Sequence, residues 1–169
     1  MKKLCLLVIL AVLLCGCQAA PTFETLEDVY NEQMMEDPLE IGVSLPDSAT
    51  MIRSGSNRLY LCDGYDVTVE VMAAGDLNRT MQSLTGFASD ALTMVQTSVS
   101  NMQRYECVWT AAGEGADQVG RALVLDDGCY HYCVTLTATS EQAGKLQEVW
   151  DDLTRSVTLK QNTDSHEFS

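Results

Sequence analysis

The sequence predicts one α+β domain: a twisted, largely antiparallel sheet of about six strands packed by a C-terminal helix, with an N-terminal helix and a short mid-chain helix. Three observations predict it. From residue 40 onward apolar residues alternate with polar ones, as in Tyr65, Val67, Val69 and Val71 against Asp66, Thr68 and Glu70, the period of a half-buried strand. Short turn signals, Asp63-Gly64 and Asp126-Asp127-Gly128, join such runs and mark hairpins. Near the end the period changes: Ala143, Leu146, Val149, Trp150 and Leu153 form a stripe at helical spacing.

The first segment, residues 1–16, is an address. Met1-Lys2-Lys3 is basic, and an unbroken run of eleven apolar residues extends from Leu4 to Leu14. A helix of that length spans about 16 Å, roughly half a hydrocarbon core, so a cleaved secretory signal fits and a membrane span does not. The run ends Leu14-Cys15-Gly16-Cys17, with an aliphatic residue, then a small residue directly before a cysteine. This resembles the lipobox of bacterial lipoproteins, with Cys15 standing where Ser or Ala is usual. The resemblance implies cleavage after Gly16 and a diacylglycerol thioether on Cys17, and no other cofactor is expected. It also implies an extracytoplasmic protein held by lipid on the outer face of the cytoplasmic membrane or another envelope membrane. Two acyl chains anchor stably where one is marginal.

Residues 17–22 then form a tether containing Pro21. Residues 23–37 read as an amphipathic helix: Phe23, Leu26, Val29, Tyr30 and Met34 make its stripe, Thr22 or Thr25 caps it, and Pro38 ends it. Residues 40–159 carry the domain. Strands are expected at 40–45, 58–62, 65–72, 91–95, 104–110, 118–125 and 129–137. A short helix is expected at 77–84, capped by Asp76 and closed by Gly86. Ser140 is expected to cap the long helix, which runs to about Arg155. Residues 157–159 end the domain, and 160–169 are a polar tail.

The order of these elements, with Ile41-Gly42-Val43-Ser44-Leu45-Pro46 at the start, Asp127-Gly128-Cys129-Tyr130-His131-Tyr132 in a hairpin and Trp150 to Leu159 at the end, resembles the PsbP-like fold. That family implies binding and assembly more often than catalysis, and fold alone transfers no function.

Charge narrows the partners. There are 24 acidic and 10 basic residues, a net charge of −14, which becomes −16 once Lys2 and Lys3 leave with the signal. Such a chain repels phosphate backbones and anionic lipid, so neither nucleic-acid binding nor electrostatic membrane docking is expected. The membrane is reached through the lipid alone.

Beyond the anchor, four cysteines remain: Cys62, Cys107, Cys129 and Cys133. Outside the cytoplasm they suggest disulfides. On one continuous strand, residues 129 and 133 stand about 13 Å apart, too far to pair. Cys62 would then pair with one of them and Cys107 with the other. A simple meander opposes this, because it holds the two outer strands about 10 Å apart. Two disulfides, one, or none are the alternatives. A second reading places Cys129, His131 and Cys133 on one strand face as a thiol-redox site or a zinc or copper(I) site, although no tight Cys-x-x-Cys turn is present.

No catalytic residues are identified. There is no Gly-x-Ser-x-Gly elbow, no His-Glu-x-x-His and no glycine-rich phosphate loop before a helix. Tyr105 and Trp109 share a strand face with Cys107, while Tyr130 and Tyr132 share another with Val134 and Leu136. Either set, if exposed, would suit a protein partner. The reading that follows is a non-enzymatic, acidic cell-envelope lipoprotein that binds another envelope protein or a secreted ligand, with the Cys129–His131–Cys133 site as the alternative.

Overall fold

The computed structural model describes residues 37–113 and 115–161. The expected signal segment, Cys17, the tether, the amphipathic helix up to residue 36 and the tail from residue 162 lie outside the described residues.

Seven strands form the main sheet: β2 (Thr50–Arg53), β3 (Asn57–Cys62), β4 (Tyr65–Ala73), β5 (Thr93–Val99), β6 (Met102–Ala111), β7 (Gln118–Asp126) and β8 (Tyr130–Thr139). Their order is β2-β3-β4-β8-β7-β6-β5, with every neighbouring pair antiparallel. Two hairpin-connected groups, β2 to β4 and β5 to β8, are thus joined where β4 meets β8. A separate ribbon pairs β1 (Glu40–Gly42) with β9 (Thr158–Lys160). Among the described residues two α-helices accompany the sheets, α1 (Leu77–Thr85) and α2 (Ala143–Ser156).

Each face of the sheet has its own core. On one side Val67, Val69, Leu123, Tyr132, Val134 and Leu136 pack against Leu146, Trp150 and Leu153 of α2. On the other, Cys107, Trp109, Ala122, Val124 and Cys133 pack against Met81 of α1. Alternation explains the division, since neighbouring residues on a strand point to opposite faces. The first helix forms as its sequence suggests. The Asp76 carboxylate accepts a bond from the Asn78 N–H at 2.9 Å, and Gly86 closes the helix in the left-handed conformation (φ 79°).

Several expectations are corrected. The main sheet, expected to have about six strands, has seven; β2 was not anticipated, and β5 spans Thr93–Val99 where a strand was expected at 91–95. Ser140 does not cap α2: residues Ser140–Gln142 form a 3₁₀ turn, and the Ser140 N–H donates to the Asp117 carbonyl at 2.7 Å. Lys160 belongs to β9 and not to the tail. The first strand of the domain is three residues long instead of six.

Candidate functional site

The strand that carries Cys129, His131 and Cys133 is legible in the sequence, but the structure does not assemble those residues into a site. Cys129 is exposed at the turn before β8, whereas His131 and Cys133 are buried under α1. The His131 Nδ1 sits 2.8 Å from Thr80 Oγ1 of α1, and its Nε2 lies 3.7 Å from Asp126 Oδ2 on β7. Both ring nitrogens therefore face protein groups, and the ring, only 1% exposed, presents neither to an ion or substrate. Among the described residues no three metal-ligating side chains come together. The geometry lends the alternative metal reading no support.

Of the three alternatives for the thiols, two disulfides, one or none, the structure has none. All four are free. Cys62 packs toward the α2 face, while Cys107 and Cys133 point to the α1 face. Cys107 and Cys133 are further separated by the whole of β7: Cys107 faces Ala122, and Cys133 faces Val124. Two strand spacings, about 9.6 Å, exceed the reach of a disulfide. The meander that opposed pairing in the sequence is the one the structure adopts.

Redox chemistry at the buried Cys107 and Cys133 is disfavoured too. Burial pushes Cys133 far above the ordinary thiol range, and the Glu70 carboxylate opposite adds to the effect. Burial also raises Cys107, against a partial lowering by the Ala122 backbone bond. Cys62 rises through burial, offset by its bond with Tyr65 and reinforced by the charge of Asp66. A protonated, enclosed thiol is a poor nucleophile and a poor sensor. Exposed Cys129 is expected to react first with a disulfide reagent, with Cys107 and Cys133 reacting only on unfolding. Timed thiol counts in native buffer and in denaturant check this; fewer than four reactive thiols in denaturant would contradict it.

Glu70 itself carries a pH dependence. It accepts a bond from Asn57 Nδ2 at 2.9 Å, yet burial raises its carboxyl above the ordinary 4.5, with Arg53 opposing in part. A carboxyl whose folded value exceeds its unfolded value favours the fold most below the unfolded value. That benefit is lost as pH rises through the folded value. Relative to Glu70→Gln, the wild type should therefore lose stability between about pH 4 and neutrality. Urea melts of both proteins at the two pH values measure the difference, and a constant offset would contradict the assignment.

What the fold leaves open lies elsewhere. Helix α2 packs over β7 and β8 and reaches β6 at Glu106, but leaves apolar residues at the β5–β6 end of the same face exposed. There Val95, Val99 and Val108 are 59%, 45% and 47% exposed. Between this bare area and α2 runs a shallow polar groove of about 370 Å³ lined by Arg104, Glu106, Asp151, Thr154 and Arg155. Its charges are largely engaged. Arg104 Nη2 and Nε both lie 2.8 Å from Glu106 Oε1. Trp150 Nε1 donates to Glu106 Oε2 at 3.2 Å. Arg155 pairs with Asp152 at 2.9 Å. With both oxygens of Glu106 held in this way, the groove fits recognition better than proton transfer.

Neither aromatic set supplies the open surface. Tyr132 is buried in the α2 core with Tyr130 beside it, while Trp109 is buried in the α1 core with Tyr105 beside it. Sequence reasoning passed over Val95, Val99 and Val108. The available signal was an uncharged strand rich in Val and Thr, Thr93–Val99.

No protein-family model and no curated protein matches the chain. Among solved structures, it is similar to LpqN of Mycobacterium tuberculosis, described as involved in cell envelope biogenesis. The TM-score is 0.48 at 10% identity, over 75% of this chain and 87% of that one. A crystal structure from Bacteroides thetaiotaomicron VPI-5482 gives 0.50 at 10% identity, over 73% of this chain but only 46% of that one. The solution structure of the cyanobacterial PsbP, CyanoP, from Synechocystis sp. PCC 6803 gives 0.51 at 10% identity, over 75% and 95%. At such identities the likeness is one of fold, and the fold of this chain is α+β and PsbP-like.

Proposed function

We propose that the chain is a non-enzymatic cell-envelope lipoprotein, anchored through a diacylglycerol thioether on Cys17, whose domain binds another envelope protein. The observation that carries this reading is Leu14-Cys15-Gly16-Cys17 at the end of a basic-then-apolar leader. The arrangement of the domain supports it. The charged residues of the groove are largely paired with one another, and beside it Val95, Val99 and Val108 form an exposed apolar end of the sheet. Protein interfaces combine an apolar centre with a polar rim in this way. The net charge of −14 favours a partner whose contacting surface is neutral or basic.

Photocrosslinkers placed at Val108 and at Thr154 in the anchored protein, expressed in its own cells, test the binding role. One partner recovered at both positions, and lost when the probe is moved to exposed Asp152 on α2, is the expected result. Recovery of only the uncrosslinked chain from both positions would overturn it.

A further inference from the structure

We propose that a second copy of this chain pairs with β5, joining two sheets edge to edge about a two-fold axis centred on Gln96. The two edges of the main sheet are treated differently. At one edge β2 is four residues long, carries Arg53 and is irregular between Met51 and Arg53. Short length, a charge and a bulge are the usual protections of an edge against pairing. At the other edge β5 has seven residues in unbroken register with β6, from Thr93 opposite Val108 to Val99 opposite Met102. It contains no charge, no proline and no bulge. Among the described residues its outer side has no strand partner.

The charge pattern favours a second copy at this place. The chain has 24 acidic residues, yet residues 91–103 contain no charged residue at all. Like-charged molecules repel over most of their surfaces, and this edge is where two of them approach at least cost. The hairpin does not obstruct the approach. Its loop is only Ser100-Asn101, both with positive φ (50° and 67°), the geometry of a tight type I′ turn.

The register is self-complementary. In a two-residue hairpin the closing pair, here Val99 and Met102, exchanges both hydrogen bonds, and alternate pairs do the same. The N–H and C=O groups of Met94, Gln96 and Ser98 therefore point away from β6. Antiparallel pairing centred on Gln96 sets Gln96 against Gln96, and Met94 against Ser98, forming about six backbone hydrogen bonds. On the α2 side it sets Val95 against Thr97 and Thr93 against Val99, with no like charges opposed. It also makes the bare β5–β6 ends of the two copies continuous. The pairing stands independently of the anchor and of any other partner.

The test is sedimentation equilibrium of residues 18–169, which retain both cores and every strand. Only a narrow strip is buried, so a Kd of about 10–100 µM is expected. Raising salt from about 0.05 to 0.5 M should tighten it about tenfold, because screening removes the mutual repulsion. Gln96→Pro removes an outward N–H while leaving the bonds to β6, and Gln96→Glu sets two carboxylates face to face. Each should raise Kd at least about tenfold. Amide exchange at Met94, Gln96 and Ser98 should slow as concentration rises. A monomer throughout, up to about 500 µM at high salt, overturns the proposal. So does a dimer that both variants leave intact, or one whose protection falls outside β5.

Discussion

Trp150→Ala is expected to cost about 4 kcal/mol of folding stability. Trp150 is 3% exposed and is central to the packing of α2 against the sheet, with Leu146 and Leu153 one turn to either side. Removing the indole leaves a cavity between two rigid layers, neither of which can close it, and large aromatic deletions of that kind lie at the high end of core substitutions. The indole N–H also donates to Glu106 Oε2 at 3.2 Å, so truncation takes one partner from a carboxylate that Arg104 must then hold alone. Trp150→Phe separates the two effects. It keeps most of the buried ring and loses the bond, for an expected cost of about 1–2 kcal/mol. Urea denaturation of the three proteins measures both quantities. Equal losses for Phe and Ala would mean that the hydrogen bond, and not the packing, fastens α2.

The second large effect is expected at Gly120→Ala. Gly120 lies on β7 directly opposite Trp109 of β6, and the indole lies over the glycine. A Cβ built at Gly120 would stand 2.2 Å from Trp109 Cζ2, far inside van der Waals contact. Either the indole leaves its rotamer, breaking its packing in the α1 core, or the strands separate. Overpacking of this kind costs about 3 kcal/mol. The cause can be isolated by a second substitution: Trp109→Leu removes the ring the methyl would strike, so the double variant should lose less than the sum of the two singles. A strictly additive pair would show that Gly120 is required for another reason.

Much of this fold is legible in the sequence, and the limits are physical. The alternation along residues 65–72 and 129–137 fixes which side chains share a face, because the period of a strand is two whatever its neighbours are. The Asp63-Gly64 turn and the α2 stripe are equally local and equally visible. Strand β2 is hidden because Thr50–Arg53 is exposed throughout, so it has no buried face to impose a pattern. Ser140 is suited to a cap, but its backbone N–H is taken by Asp117 across the β7–β8 pair, a contact between residues distant in sequence. The pairing of β4 with β8 is likewise non-local, with Val67 opposite Leu136 and nothing in either segment naming the other.

The candidate site follows the same division. That Cys129, His131 and Cys133 alternate onto one face was readable. That α1 buries two of them, through Thr80 beside His131 and Met81 in the same core, was not, because the covering element lies some fifty residues earlier in the chain. The state of the thiols turns on strand order, which local pattern leaves undetermined. The exposure of Val95, Val99 and Val108 depends on which part of the sheet face α2 covers, a property of packing geometry and not of any motif.

Lipid anchorage of a domain with free thiols is the central proposal. Intact mass spectrometry of the protein extracted from its own membranes, alkylated in denaturant without reduction, tests both parts together. The predicted result is a chain beginning at Cys17, carrying a diacylglycerol thioether and four alkylated cysteines, with the lipid-bearing form absent from Cys17→Ala. A chain without lipid, or one with blocked cysteines, would contradict it.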